Sequence, residues 1–231
     1  MGKLFDLFGT KKQKKIFGLL KPETVRKRDK PIKKLTLPSN YTHFKDSNPK
    51  YPMYVQAYSY LKNRGITDEM IEKYQIGFCD KGDHMGRIII PSYNSEDELT
   101  YYIARSWDTY SKAKYKNPQE EKDKIIFNER LIDWEKDIYL VEGVFDSLFL
   151  PNSIPMLGKF MSDMLFEKLY NHAKGDIIIC LDSDAWSESV KLYHNLNGGE
   201  LYGRVKIIKL NGDMDVADLR GNINDYYYNM R

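Results

Sequence analysis

Seven carboxylates fall at three places in the second half of this 231-residue chain, each just after an apolar run. Glu142 and Asp146 follow "IYLV", Asp182 and Asp184 follow "DIIICL", and Asp213, Asp215 and Asp218 follow "RVKIIKL". Carboxylates at i and i+2 repel when both are ionised, and placing them beside a core strand adds a desolvation cost. A set of this kind calls for cations. Hard oxygen donors without imidazole or thiolate select Mg²⁺ or Mn²⁺ over zinc. Two such ions roughly 4 Å apart can clamp an in-line displacement at phosphorus, which suits nucleotidyl transfer or phosphodiester cleavage. Taken singly, each acid has a plainer reading. Asp146 fits a solvated helix face, Asp213 fits the turn "NGD", and Asp182-Ser183-Asp184 fits a helix N-cap. Their joint placement after three separate runs is what favours chemistry.

The elements that must position these acids have a regular rhythm. Apolar runs at 138–141, 153–157, 176–181 and 204–210 alternate with helix-like segments, at 162–172 and in "WSESVKLYHNL". Strands alternating with helices of about ten residues predict parallel β/α units with right-handed crossovers. Open parallel sheets bind ligands beyond the carboxyl ends of their strands. If the first, third and fourth strands are neighbours, the acids converge on one edge.

Upstream, the pattern changes. Val55, Tyr58 and Leu61 have helical spacing, and Gly65 is a C-cap candidate. Thr67 is of N-cap type, with Asp68 and Glu69 suited to the positive end of a second helix. Three strands are predicted at 87–91, 99–105 and 125–128, with a polar loop, "DTYSKAKYKNPQEEKD", between the last two. Three segments result: a basic arm and linker over 1–50, an α+β subdomain over 51–136, and a parallel α/β subdomain over 137–231. Within the arm, residues 4–20 fit an amphipathic helix, and Pro22, Pro31 and Pro38 mark 21–50 as an extended linker.

Composition bounds the remaining possibilities. With 42% hydrophobic and 30% charged residues, the chain can bury a substantial core. No apolar run approaches the roughly 18 residues of a membrane span, and the amino terminus has no signal-peptide pattern, so a soluble cytoplasmic protein is expected. Two cysteines and four histidines offer no zinc-ligand spacing, so no zinc is expected. Residues 1–50 hold 14 Lys/Arg against 4 Asp/Glu, a balance of +10, while the other 181 hold 22 against 29, a balance of −7. A basic arm on an acidic body points to a polyanionic partner, nucleic acid being one candidate.

Several motifs together resemble a known family. "EGVFD" (142–146), "LDSDA" (181–185) and "DVADL" (215–219) resemble the E-G-x-x-D, D-x-D and third acidic elements of the TOPRIM fold, in that order. TOPRIM domains occur in primases, topoisomerases and some nucleases. "YLKNRGITDEMIEKYQIGFC", "GRIIIPSYN", "YYIARSW" and "KYKNPQEEKDKIIFNE" resemble the amino-terminal half of the DnaG-type primase polymerase domain, particularly its phage versions. The resemblance spans residues 58–219 and implies an α/β fold, a TOPRIM sheet preceded by a basic α+β subdomain. Arg87 matches the basic residue of G-R-[IV]-x-x-P, Arg105 closes the next strand, and Lys114, Tyr115, Asn117 and Pro118 match a K-Y-x-N-P loop.

The resemblance implies a DNA primase that makes short RNA primers on single-stranded DNA from ribonucleoside triphosphates. Glu142, Asp182 and Asp184 would be catalytic. Glu142, Asp146, Asp182, Asp184, Asp215 and Asp218 would hold Mg²⁺ or Mn²⁺. Arg87, Arg105, Lys114, Tyr115 and Asn117 would bind template or nucleotide, with Asn117 fixing either loop or sugar geometry. A replicative helicase and a separate zinc-module protein are the further partners it implies, in a bacterial or phage-infected cytoplasm. Two features depart from the family: a basic arm stands where the zinc module would be, and about a dozen residues follow "DVADL". A metal-dependent TOPRIM nuclease using the same acids, and a non-catalytic replisome subunit that binds nucleic acid, remain open.

Overall fold

Two short helices stand near the start of the described part of the chain, and both stop at a reversal in the left-handed region. In a computed structural model, residues 35–158, 160–210, 212 and 214–219 are described, with the backbone of 227 and 228. The helix expected over 4–20 and Asp213 lie outside the described residues. Helix α1 (Pro52–Asn63) begins with proline at its first turn, where a missing N–H costs nothing. It ends in a Schellman arrangement: Gly65 N donates to Lys62 O (2.8 Å) and Ile66 N to Leu61 O (3.0 Å), with Gly65 at φ 76°. Helix α2 (Asp68–Lys73) starts where the Thr67 hydroxyl accepts from Met70 N (3.2 Å) and ends in the same way, with Gln75 rather than glycine at φ 51°.

These helices pack on a four-stranded antiparallel sheet, β1 (Tyr41–His43), β2 (Gly77–Cys79), β3 (Arg87–Tyr93) and β4 (Leu99–Ser106), in that spatial order. The strand β1 lies inside the segment expected to be linker, so the first sheet begins well before residue 51. Its approach to β2 needs Gly77, where a Cβ would stand 2.4 Å from both Thr42 O and the Tyr41 ring. Strands β3 and β4 form where expected, each slightly longer. The strand expected at 125–128 does not form. Ile126 and Phe127 are buried, but Asn128 turns left-handed (φ 52°) and its N–H donates to the Ser92 hydroxyl (2.9 Å) instead of to a ladder.

The second sheet has the order β6-β5-β7-β8-β9. Strands β5 (Ile138–Val141), β6 (Ser153–Pro155), β7 (Ile177–Ile179) and β8 (Val205–Ile208) are parallel, and β9 (Tyr227–Tyr228) runs antiparallel to β8. The first, third and fourth parallel strands are therefore neighbours, as convergence of the acids requires. Three helices follow strands: one turn, α3 (Val144–Ser147), then α4 (Asp163–His172), capped by the Ser162 hydroxyl, then α5 (Trp186–Leu196).

The two sheets share hydrophobic material. Val144, Phe145 and Leu148, at and just after α3, are buried in the same cluster as Ile88, Ile90, Tyr101 and Phe127 of the first subdomain. Each such side chain contributes roughly 1.5–3 kcal/mol on burial. An ion pair crosses the same seam, Lys168 Nζ to Glu129 Oε1 at 2.7 Å, with Glu129 only 7% exposed. Residues 35–231 form one unit. The turn carrying Asp146 is thus fixed from both sides.

Candidate active site

The acids after β5 are set by a glycine. Gly143 N donates to Asp146 Oδ2 at 2.8 Å, folding the carboxylate back onto the start of α3. A Cβ at residue 143 would stand 2.8 Å from that same oxygen, so the E-G-x-x-D spacing lets the carboxylate reach its own backbone. The acids after β7 follow directly from a buried strand: Cys180 and Leu181 lie inside, Asp182 is half-buried, and Asp184 is exposed in a 3₁₀ turn before α5. The third element works by anchoring. Val216 and Leu219 are buried under the sheet, which leaves Asp215 and Asp218 outside on the turn Val216–Leu219. Asp215 Oδ1 accepts from Ala217 N (2.8 Å), and Asp218 Oδ2 accepts from Asp215 N (3.0 Å).

Asp146 and Asp182 feel the charge of the acids around them. Burial, then Asp182 and Asp215, push the Asp146 carboxyl up to about 6 against the pull of Gly143 N–H and Arg64. Burial, then Asp184 and Asp215, raise Asp182 as well. Cys180, directly beneath, is pushed up to about 12 by burial and by Asp146 and Asp182. Glu142 and Asp184 line a cavity of about 150 Å³ together with Met156, Gly158, Leu181 and Glu188. Glu188, one turn into α5, was not anticipated from the sequence. Among the described residues, no three acids, imidazoles or thiols are grouped closely enough to hold a metal ion as they stand. The arrangement brings four of the six expected ligands into one electrostatic cluster and places Glu142 on the cavity with Asp184. It spends Asp218 on shaping its own turn.

The expected basic residues have divided roles. Arg87 is 8% exposed, and its guanidinium donates to Ala104 O (3.2 Å), Ala113 O (2.9 Å) and Lys114 O (3.4 Å). Rather than facing a polyanion, it pins the loop after β4 from inside. Asn117 Oδ1 accepts from Ala104 N (2.9 Å), so its side-chain oxygen holds the loop against β4. Arg105 donates to Tyr60 Oη (3.2 Å) and stacks over the Tyr115 ring at 4.7 Å. Lys114 and Tyr115 are exposed. Sequence reasoning missed Arg64, which follows α1, lies 4.6 Å over the Phe145 ring and acts on Asp146. Its only sequence signal was its place before Gly65, which reads as a helix end.

An antiparallel subdomain joined through α3 to an acid-edged parallel sheet defines the class: the fold is that of the DnaG primase catalytic core. The basic character expected of that subdomain is confined to its loop after β4, since residues 51–136 hold 13 Lys/Arg against 15 Asp/Glu. The RNA polymerase domain of Mycobacterium tuberculosis primase DnaG superposes with a TM-score of 0.60 at 18% identity, covering 77% of each chain. A DnaG primase catalytic domain bound to single-stranded DNA gives a TM-score of 0.63 at 16% identity, over 77% of this chain and 71% of that one. In sequence, the chain is homologous to a DNA primase of Mycoplasma genitalium, 30% identical over 125 residues. That match takes in 48% of this chain and 21% of the primase, so this chain corresponds to about a fifth of it. No family model matches the chain.

Proposed function

We propose that the chain is the polymerising core of a DNA primase, joining ribonucleotides on a single-stranded DNA template. The observation that carries this reading is the pairing of a carboxylate cluster, in which burial and neighbouring acids raise Asp146 and Asp182, with a pinned basic loop, on the fold of primase catalytic cores. The donor set is carboxylate only, and its unrelieved repulsion fits a divalent hard cation such as Mg²⁺ or Mn²⁺. Asp146, Asp182, Asp184 and Asp215 would hold it, with Glu142 at the cavity wall. When bound, it supplies neutralisation of the triphosphate and of the developing charge.

The chain's own groups then have definite work. A 3′-hydroxyl attacks the α-phosphorus, the new O–P bond forms as the α–β bond breaks, and pyrophosphate leaves. Glu142 accepts the hydroxyl proton. Arg64, beside Asp146, offers a planar donor set toward phosphate at the seam. Arg105, Lys114 and Tyr115 orient template or nucleotide. A replicative helicase and a separately supplied zinc-module protein complete the partners in this reading.

The test is primer synthesis from labelled ribonucleotides on single-stranded DNA with Mg²⁺, with and without a zinc-module protein. Asp182→Asn and Asp184→Asn should each lower product at least about 100-fold, the scale on which electrostatic stabilisation acts in such sites. Undiminished synthesis in both variants sinks the assignment. Template cleavage without ribonucleotide incorporation would mark a nuclease instead.

A further inference from the structure

The cavity beside the acids has a lining that selects for one kind of group. It opens where three parallel strands end: Glu142 follows β5, Met156 and Gly158 follow β6, and Leu181 follows β7. Met156 and Leu181 are buried and give the lining an apolar part. A Cβ at Gly158 would meet nothing within 4 Å, so the side after β6 stays open. Asp184, in the turn before α5, and Glu188, inside α5, complete the lining four positions apart. The Ser187 hydroxyl donates to Glu188 Oε2 (2.8 Å), which restrains that carboxylate.

Ionised carboxylates only accept hydrogen bonds, so a group that fits here must bring donors. A phosphate would meet like charge from Glu142, Asp184 and Glu188. These three acids are also not grouped closely enough to hold a bare cation between them. A space of about 150 Å³ with apolar and carboxylate parts instead matches a sugar ring. Its C–H face can lie on apolar side chains while its hydroxyls donate to the acids, as ribose hydroxyls do to an acidic residue in dinucleotide-binding folds. The cavity also adjoins the acid cluster, because Asp184 both lines it and acts on Asp182. A nucleotide whose sugar is seated there has its phosphates beside that cluster.

We infer that this cavity is the ribose pocket of the incoming nucleotide, with Glu188 accepting the 2′-hydroxyl and so selecting ribonucleotides over deoxyribonucleotides. The inference rests on the nucleotidyl-transfer reading above and adds the residue that sets sugar specificity. Glu142 and Asp184 have other work in that reading, whereas Glu188 has none and belongs to none of the acidic motifs. A deoxyribonucleotide would leave the Glu188 carboxylate without its donor. Sites built to bond a substrate hydroxyl reject the analogue lacking it for this reason.

Displacement of a fluorescent ATP analogue from the full chain by ATP or dATP, with Mg²⁺ and no template, tests this. The parent should bind ATP at least about 10-fold more tightly than dATP, the scale of one hydrogen bond to a charged acceptor. Glu188→Ala should bring that ratio close to unity, and Glu188→Gln, which keeps one acceptor oxygen, should retain part of it. A thermal melt confirms that each variant is folded. Equal affinity of the parent for ATP and dATP, failure to bind either, or the parent's ratio persisting in Glu188→Ala overturns the pocket. If Glu188→Ala instead changes selection between CTP and UTP at an unchanged ribose preference, the cavity holds a base and the ribose assignment fails. The two readings fail separately. Primer synthesis without sugar preference removes the pocket and leaves the polymerase, and ribose-dependent binding without synthesis does the reverse.

Discussion

Replacing Asp146 by asparagine should make the protein more stable at neutral pH, an advantage that fades as the pH falls below about 6. The folded carboxyl sits at about 6 against an ordinary 3.8, because burial and the charges of Asp182 and Asp215 disfavour its ionised form. The folded state thus binds this proton more tightly than the unfolded chain does. Between about 3.8 and 6 stability falls as pH rises, and above 6 the whole penalty is present. At roughly 1.4 kcal/mol per pH unit, the charge costs the fold about 3 kcal/mol at pH 7.5 as an upper figure. Asparagine keeps the oxygen that accepts from Gly143 N and removes the charge. Urea unfolding in the presence of a chelator, at pH 7.5 and pH 4, measures both states. The variant should gain about 1–3 kcal/mol at pH 7.5, seen as a rise in Tm of several degrees for a chain of this size, and no more than about 0.5 kcal/mol at pH 4. Adding Mg²⁺ should stabilise the parent more than the variant. A variant no more stable than the parent at pH 7.5, or a gain just as large at pH 4, refutes the idea that mutual repulsion is stored at this edge.

Four other substitutions probe how the site and the elements around it are held. Gly143→Ala should leave stability nearly unchanged but push the Asp146 carboxylate off its backbone N–H, lowering primer synthesis roughly 10- to 100-fold; full activity would show that this contact is dispensable. Lys168→Met strands the buried Glu129 carboxylate and should cost about 1–3 kcal/mol in urea unfolding, less than for a fully buried pair because Lys168 is about one-third exposed. Adding Glu129→Gln should recover part of that loss, and a double variant no better than the single one contradicts the mechanism. Gln75→Gly relieves a left-handed residue at the end of α2 and should raise stability by about 0.5–1 kcal/mol, read as a higher melting temperature, whereas a loss would show that the Gln75 side chain matters more than its backbone.

What could be read from the sequence follows physical range. The acid spacing was legible because each element is local: glycine before a carboxylate, two acids at a strand end, and two apolar residues pinning a turn. The parallel rhythm was legible because its central strands, β5 and β7, are buried on both faces and read as continuous apolar runs. Strands β1 and β2, three residues each, are too short to show alternation, so the linker was drawn past β1. Residues 125–128 misled because an apolar run records burial and not a ladder partner. Arg87 misled for a related reason. An arginine at a strand start, matching a basic motif position, looks like a phosphate ligand until its burial and its carbonyl partners are seen, and these come from residues up to 27 positions away.

The placement of Arg64 shows why the acids and the basic loop belong to different sheets yet depend on one fold. An acid edge on an isolated parallel sheet would face water with no fixed cation. Here α3 carries Phe145 into the first subdomain's core, which brings Asp146 within the influence of Arg64, and Arg64 in turn lies over the Tyr60 ring that anchors Arg105. The same buried turn therefore sets the charge environment of the acids and ties them, through Arg64 and Tyr60, to Arg105. Neither half of the proposed site is defined by its own sheet alone, so the seam between the two, rather than either motif, is the element on which polymerisation would depend.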